Sequence, residues 1–165
     1  QKTRLVMIEI IDNFLPEEEF KFIQSFMMGG EFRWFYAEGR TFKDDGLYHM
    51  AHAFLQPKVG PNSEHLHMWN TFMDKVEAKK CKRIKANLTF KTPTIEPGFF
   101  HCDFADMKTA VFYINTNDGY TEFENGVRVS SVANRVCIFD SNLNHRGTTH
   151  TEGGHRRIVV NFNYA

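Results

Sequence analysis

Near residue 83 the hydrophobic period of this sequence changes from helical to alternating, and it does not change back. Ile84, Ala86, Leu88 and Phe90 alternate with Lys85, Asn87, Thr89 and Lys91, which is the two-residue period of a half-buried strand. Strand-like runs follow at 108–115, 120–124, 127–132, 135–140 and 157–164, with turn signals at Asn117-Asp118-Gly119 and Glu124-Asn125-Gly126. Upstream, residues 5–11 form an apolar run closed by Asp12-Asn13, a short strand and its turn. Pro16-Glu17-Glu18-Glu19 puts proline and acid at a helix start, Phe20, Ile23, Phe26 and Met27 recur at helical spacing, and Gly29-Gly30 ends the run. Asn62-Ser63-Glu64 caps a second helix with Leu66, Trp69, Phe72, Met73 and Val76 on one face; His65 and His67 fall on its surface. Two helices followed by many short strands predict a mainly β domain, either a β-barrel or a double-stranded β-helix (jelly roll), with N-terminal helices packed on one sheet.

With 165 residues the chain forms one domain, 1–165, whose helical N-terminal part spans about 12–80 and whose jelly-roll core spans about 83–164. The 17 phenylalanines suggest a core or pocket with aromatic walls. Residues 31–61 carry many aromatics and little periodicity, the mark of either a functional loop facing a substrate or strands that periodicity cannot resolve. Lysine plus arginine equals aspartate plus glutamate, so a basic footprint for nucleic acid is missing and none is expected as partner. The run Lys79-Lys80-Cys81-Lys82-Arg83-Ile84-Lys85 reads as a solvated helix end and strand start. Cys81, Cys102 and Cys137 have no paired spacing, which points to a reducing compartment and away from disulfides or structural zinc. No signal-peptide pattern or membrane-length apolar run is visible, so the expectation is a soluble, cytoplasmic protein without a membrane partner. The chain opens on Gln1 rather than Met, consistent with a start upstream.

The chemistry is concentrated at 101–115. In an extended strand residues i and i+2 share a side, so His101 and Asp103 can present an imidazole and a carboxylate together. Two histidines and one carboxylate form a facial triad that leaves open positions on iron(II), so one more histidine is sought. The spacing alone is weak. With 8 His and 20 acids in 165 residues chance supplies about one such triplet, and His150-Thr151-Glu152 is a second. Setting separates them: His101 leads into the apolar run Thr109-Ala110-Val111-Phe112-Tyr113-Ile114, whereas His150 lies between Gly147 and Gly153-Gly154, in what reads as a mobile loop. The strand Arg135-Val136-Cys137-Ile138-Phe139-Asp140 ends just before His145, which is therefore the preferred third ligand, with His150 and His155 as fallbacks. In the last strand Ile158, Val160, Phe162 and Tyr164 make an apolar side against the helices, leaving Arg157, Val159, Asn161 and Asn163 to line the interior. A guanidinium placed there needs an anion, and its planar fork suits a carboxylate. A one-residue slip would substitute Arg156.

These residues carry a resemblance. The order His101-Cys102-Asp103, a strand with Tyr113, Asp118-Gly119-Tyr120-Thr121-Glu122-Phe123, the run from Arg135 to His145-Arg146, and a terminal strand opening on arginine resembles the iron(II)/2-oxoglutarate-dependent dioxygenases, in their prolyl 4-hydroxylase-like branch of small phage and bacterial members. Ile10-Ile11-Asp12-Asn13-Phe14-Leu15-Pro16 is similar to the usual opening of such domains. The resemblance implies His101, Asp103 and His145 as iron ligands and catalytic residues, and Arg157, or Arg156, as the anchor for 2-oxoglutarate. Tyr113 would assist that anchor, and Asn161 and Asn163 would lie behind it. It implies a hydroxylase of a peptidyl-prolyl or other amino-acid side chain that turns 2-oxoglutarate and O2 into succinate and carbon dioxide. Ascorbate would be an optional reductant, and a bacterium or phage-infected host cell the setting. Tyr36, Tyr48, His49 and Phe104 are candidates for a substrate wall. A cupin-like metalloenzyme without 2-oxoglutarate and a non-catalytic jelly-roll module are the rival readings.

Overall fold

The computed structural model describes residues 7–165. Strand β1 (Ile8–Ile11) leads to helix α1 (Glu17–Met28), then β2 (Phe35–Glu38), β3 (Tyr48–Gln56) and the two-residue β4 (Gly60–Pro61). A 3-10 turn (Leu66–Trp69) runs into α2 (Asn70–Lys75). The strands β5 (Cys81–Phe90), β6 (Lys108–Tyr113), β7 (Tyr120–Phe123), β8 (Arg128–Ser130), β9 (Arg135–Asp140), β10 (His145–Gly147) and β11 (Arg156–Tyr164) complete the chain. The first part of the apolar run predicted at 5–11 lies outside the described residues.

The strands form two antiparallel sheets. The larger has the order β1-β9-β6-β11-β5-β3-β2, with β4 on β3; the smaller is β10-β7-β8. This is the predicted jelly roll, and its central strand is β11, paired with β5 on one side and β6 on the other. The alternation on β11 sorts its side chains as the period requires. Ile158, Val160, Phe162 and Tyr164 join Ile23 and Met27 of α1 and Trp69 and Phe72 of the second helical segment in one apolar core. The Phe72 and Phe162 rings stack at 3.8 Å and 11°, and Trp69 meets Phe162 edge-on at 5.2 Å. Val159 goes the other way, into a smaller core between the sheets with Val111, Tyr113, Phe123 and Phe139. Helices thus cover one face of the large sheet, and the opposite face is free to enclose a site.

Local chemistry explains the helix ends. Glu17, Glu18 and Glu19 occupy the first turn of α1, at the positive end of its dipole. Pro16 precedes them as the cap residue, at φ −50°, ψ 137°. Asn134, left-handed at φ 64°, ties the N-terminal segment to the sheet: its side chain accepts from the Leu15 N–H and donates to the Leu15 carbonyl, both at 2.9 Å.

One open reading is decided and others are corrected. The segment 31–61 forms β2, β3 and β4. Its strands hid because Phe35, Tyr36 and Tyr48, each about 60% exposed, keep apolar side chains at the uncovered edge of the sheet and blur the alternation. The second helix begins as a 3-10 turn at Leu66, with the Ser63 hydroxyl accepting from the His65 N–H at 3.2 Å. Phe90 is 44% exposed and Thr89 is buried, reversing the alternation at the end of β5. His65 is half-buried, its ring edge-on to Phe26 at 4.8 Å.

Candidate metal centre

His101, Asp103 and His145 each offer a ligand atom, and these atoms lie within 4.8 Å of one another. The segment 101–115 is not the continuous strand that the i, i+2 argument assumed. His101 makes an isolated bridge, 102–107 is irregular, and β6 begins only at Lys108. Convergence comes instead from backbone bonds to the β9–β10 connection. His101 and His145 exchange N–H···O=C bonds of 3.0 and 2.9 Å, which brings their rings to 4.6 Å between centroids, and the Asp103 N–H donates to the Ser141 carbonyl at 2.9 Å.

The proton positions suit a metal. Nδ1 of His101 faces the Phe99 carbonyl at 3.0 Å and Nδ1 of His145 faces the Leu143 carbonyl at 2.9 Å. A carbonyl only accepts, so Nδ1 carries the proton in each ring and Nε2 keeps its lone pair. Each Nε2 is 3.8 Å from a different Asp103 oxygen. Asp103 Oδ2 accepts from the Thr109 hydroxyl at 2.8 Å and the Asn163 amide at 3.1 Å, while Arg83 approaches Oδ1 at 3.4 Å. Burial alone would raise the Asp103 pKa; the Arg83 charge and the bonds from Thr109 and Asn163 pull it down, as His145 does when protonated, and the carboxyl stays below its usual range. Burial lowers the His145 pKa against the pull of Asp103. Neutral imidazole and ionised carboxylate are the forms a metal takes.

From the two histidines a cavity of about 110 Å³ runs inward past Thr121, Val159 and Asn161 to Arg157. Arg157 is 4% exposed and donates from Nε to the Ser131 hydroxyl at 3.0 Å. Burial lowers its pKa to about 10, so it remains charged at neutral pH, and among the described residues no carboxylate forms an ion pair with it. Arg156, the alternative, is on the other face of β11 and donates to the Met28 carbonyl of α1 at 3.0 Å. Period two forces that separation.

Tyr113 does not line the cavity. It is wholly buried beside it and donates to the Thr121 hydroxyl at 2.7 Å, so Thr121 stands at the wall in its place. Asn163 lies behind Asp103, whereas Asn161 lines the cavity itself. His150, expected in a mobile loop, is 0% exposed and bonds through Nε2 to the Gly154 carbonyl at 2.9 Å; His155 is exposed. Neither fallback is in the ligand group. Of the substrate-wall candidates, His49 lines this cavity, Phe104 lies under Lys82 and Arg83 and lines a neighbouring hollow with His101 and Asp103, and Tyr36 and Tyr48 stack on each other at the sheet edge.

Three residues went unread in the sequence. Asn87 and Thr89 of β5 line the cavity and each leaves a buried side-chain oxygen without a partner, and Arg40 reaches it from the β2–β3 connection. The pairing of β5 with β11 sets Thr89 opposite Arg157 and Asn87 opposite Val159, on the interior face. Their polar alternation was visible, but its direction was not.

No family model matches the sequence, and no curated protein matches it. Solved structures do. A 2OG-Fe(II) oxygenase family oxidoreductase from Burkholderia pseudomallei superposes with a TM-score of 0.69 at 10% identity, covering 96% of this chain and 84% of that one. A prolyl-4-hydroxylase from Pseudomonas putida gives 0.66 at 14% identity, with 97% and 92% covered. HygX from Streptomyces hygroscopicus, with nickel, 2-oxoglutarate and hygromycin B bound, gives 0.63 at 10% identity, with 97% and 83% covered.

The chain has the fold of the 2-oxoglutarate/iron(II) oxygenases.

The donor set fits an iron(II) ion on this oxygenase fold. Two imidazole nitrogens with free lone pairs and one carboxylate converge, each held from behind by a second hydrogen bond.

Proposed function

We propose that the protein is an iron(II)- and 2-oxoglutarate-dependent dioxygenase that hydroxylates an amino-acid side chain, peptidyl-proline being the first candidate. The observation that carries this reading is the pairing, across one small cavity, of the His101/Asp103/His145 group with a buried arginine that no carboxylate pairs with among the described residues. The Pseudomonas putida prolyl-4-hydroxylase and a Trichoplax adhaerens prolyl hydroxylase in complex with a peptide fragment, at TM-scores of 0.66 and 0.62, favour a peptidyl substrate.

The chain's own residues divide the work. His101, Asp103 and His145 hold the metal on one side and leave the cavity side open. Arg157 takes the distal carboxylate of 2-oxoglutarate, its guanidinium plane set by Ser131. Tyr113 uses its own proton on Thr121, so the Thr121 hydroxyl proton is free to turn toward the same carboxylate. Burial keeps the Tyr113 phenol protonated. Iron(II), when bound, supplies the dioxygen chemistry that couples oxidative decarboxylation of 2-oxoglutarate to hydroxylation of the substrate. The Val111 and Val159 side chains exclude water from the inner end.

The test is anaerobic titration of the iron(II)-loaded protein with 2-oxoglutarate, watching for the weak visible charge-transfer band of the chelate. A saturable band is expected. Bound iron without a band would favour a cupin-like metalloenzyme that does not use 2-oxoglutarate, and failure to bind iron would remove the enzyme reading.

A glycine offers a second check. A Cβ built on Gly119 would lie 2.6 Å from Arg157 Cδ and 2.7 Å from its Nε. Gly119→Ala must therefore push the anchor out of line. The expected result is about tenfold weaker 2-oxoglutarate binding, the equivalent of roughly 1.4 kcal/mol of misplacement. Iron affinity should stay within twofold, because the ligands are at the other end of the cavity. Unchanged 2-oxoglutarate affinity would argue against Arg157 as the anchor.

A further inference from the structure

Beyond the triad the interior face of the large sheet continues outward across β5 and β3 to the edge strand β2. A cavity of about 250 Å³ there is lined by His101 and Asp103 together with Arg40, Arg83 and Lys85. Beside it lies a groove of about 500 Å³ that shares Arg83 and Lys85 and is lined also by Ala51, Ala53 and Phe35, the last 63% exposed. In the register of β3 on β5, Ala51 stands opposite Asn87 and Ala53 opposite Lys85, so the small side chains leave room above the sheet. Lys85 lines both hollows, and the one it shares with His101 and Asp103 places it beside the metal ligands.

The charge balance around the metal ligands is one-sided. The inner cavity and its neighbour together carry Arg40, Arg83, Lys85 and Arg157 against a single carboxylate, Asp103. Loading iron(II) and 2-oxoglutarate leaves that balance where it was, since their charges cancel. Arg83 is committed, its Nε donating to Asn163 Oδ1 at 2.9 Å and its other nitrogen to Asp103. Arg40 donates to the Glu96 carbonyl at 3.0 Å and is held by its loop, whose N–H groups at Arg40, Thr41, Phe42 and Leu47 converge on the Asp45 carboxylate. Lys85 is different. Among the described residues no acid forms an ion pair with it, burial and the like charge of Arg83 depress its pKa, and its positive field reaches His49 across the cavity. A half-buried cation with no counter-charge, set in concave low-dielectric walls, attracts an anion.

We propose that the primary substrate carries an anionic group, carboxylate or phosphate, that is bound by Lys85 with Arg40 beside it, next to the metal centre. The proposal rests on the dioxygenase reading and narrows its substrate class: an amino-acid or peptide substrate presents an acidic group within reach of its oxidised carbon. Lys85 then sets specificity and orientation while the triad and Arg157 serve every turnover.

The test uses the whole chain loaded with redox-inert nickel(II) and saturated with 2-oxoglutarate, so that Arg157 is occupied. Calorimetric titrations compare benzoate, phenyl phosphate and neutral benzamide, each with a ring to rest on Ala51 and Ala53. At least one anion is expected to bind tenfold or more tightly than benzamide; which anion wins separates a carboxylate substrate from a phosphate one. Lys85→Met should reduce that preference to within twofold, and Lys85→Arg should keep most of it, which guards against a folding defect in the first variant. Equal binding of benzamide, no anion binding, or a preference undiminished in Lys85→Met would overturn the proposal while nickel and 2-oxoglutarate still bind. Failure of the wild-type chain to bind nickel or 2-oxoglutarate would instead overturn the dioxygenase reading and the substrate class with it.

Discussion

Replacing His145 with alanine is expected to weaken iron(II) binding by more than about 100-fold and to reduce 2-oxoglutarate-dependent succinate formation to background. Loss of a group that merely positions a ligand costs about 10–100-fold in metal affinity. Loss of a ligand from a set of three must cost more. The fold should survive, because the bridge between residues 101 and 145 is made by backbone groups that the substitution leaves in place. His145 is 6% exposed and its ring packs edge-on against Phe139 at 4.7 Å, so a few kcal/mol of stability should go with the cavity left behind. Competition with a chelator under anaerobic conditions measures the affinity, and circular dichroism of the metal-free protein measures the fold. Asn163→Ala is the graded companion: it keeps all three ligands but frees Asp103 Oδ2 of one donor, and belongs in the 10–100-fold range. Iron affinity in His145→Ala within a few-fold of the parent would take His145 out of the centre.

The Arg157→Met variant is expected to separate stability from function. The two side chains have similar reach, so the interior stays filled. The guanidinium is buried and, among the described residues, has no carboxylate partner, and burial pulls its pKa down to about 10. Exchanging an uncompensated buried charge for an apolar side chain is neutral or stabilising; the loss of one hydrogen bond to Ser131, about 1 kcal/mol, works against it. The thermal midpoint without 2-oxoglutarate should therefore be unchanged or slightly raised. Binding of 2-oxoglutarate should fall by at least about 30-fold, because truncating one partner of a buried charged pair costs roughly 2–5 kcal/mol. Stabilisation by added 2-oxoglutarate should disappear accordingly. Differential scanning calorimetry with and without 2-oxoglutarate, beside an iron titration expected to be unaltered, measures all three. A variant that kept its 2-oxoglutarate affinity would dissociate Arg157 from that role.

The identity and order of the chemical groups were readable in the chain because they are local. His101-Cys102-Asp103 ahead of an apolar strand, a histidine just past 135–140, and the two unequal faces of β11 are properties of a few neighbouring residues, and side-chain period follows from backbone geometry alone. That is why the interior direction of Arg157 followed from Ile158, Val160 and Phe162, with Arg156 as its register alternative. The aromatic stretch 31–61 resisted for a related reason: at the outer end of the sheet Phe35, Tyr36 and Tyr48 stay exposed, and they blur the alternation that His52 and Phe54 keep on the buried face of β3.

Partnership is not local. The chain by itself supplied the donor types, the first helix, most of the strands after residue 83 and the polar face of β11. Only the tertiary structure assigned Asn87, Thr89 and Lys85 to the same interior as Arg157, through the registers of β5 with β11 and β3. Only it replaced Tyr113 by Thr121 at the cavity wall and bent the irregular 102–107 segment so that Asp103 and His101 both hang from the 141–145 backbone. The reason is that alternation sorts side chains into two faces without saying which face closes over which. That choice is made when distant strands pair, and it depends on burying Trp69 and Phe72 against β11 on one side and leaving a charged hollow on the other.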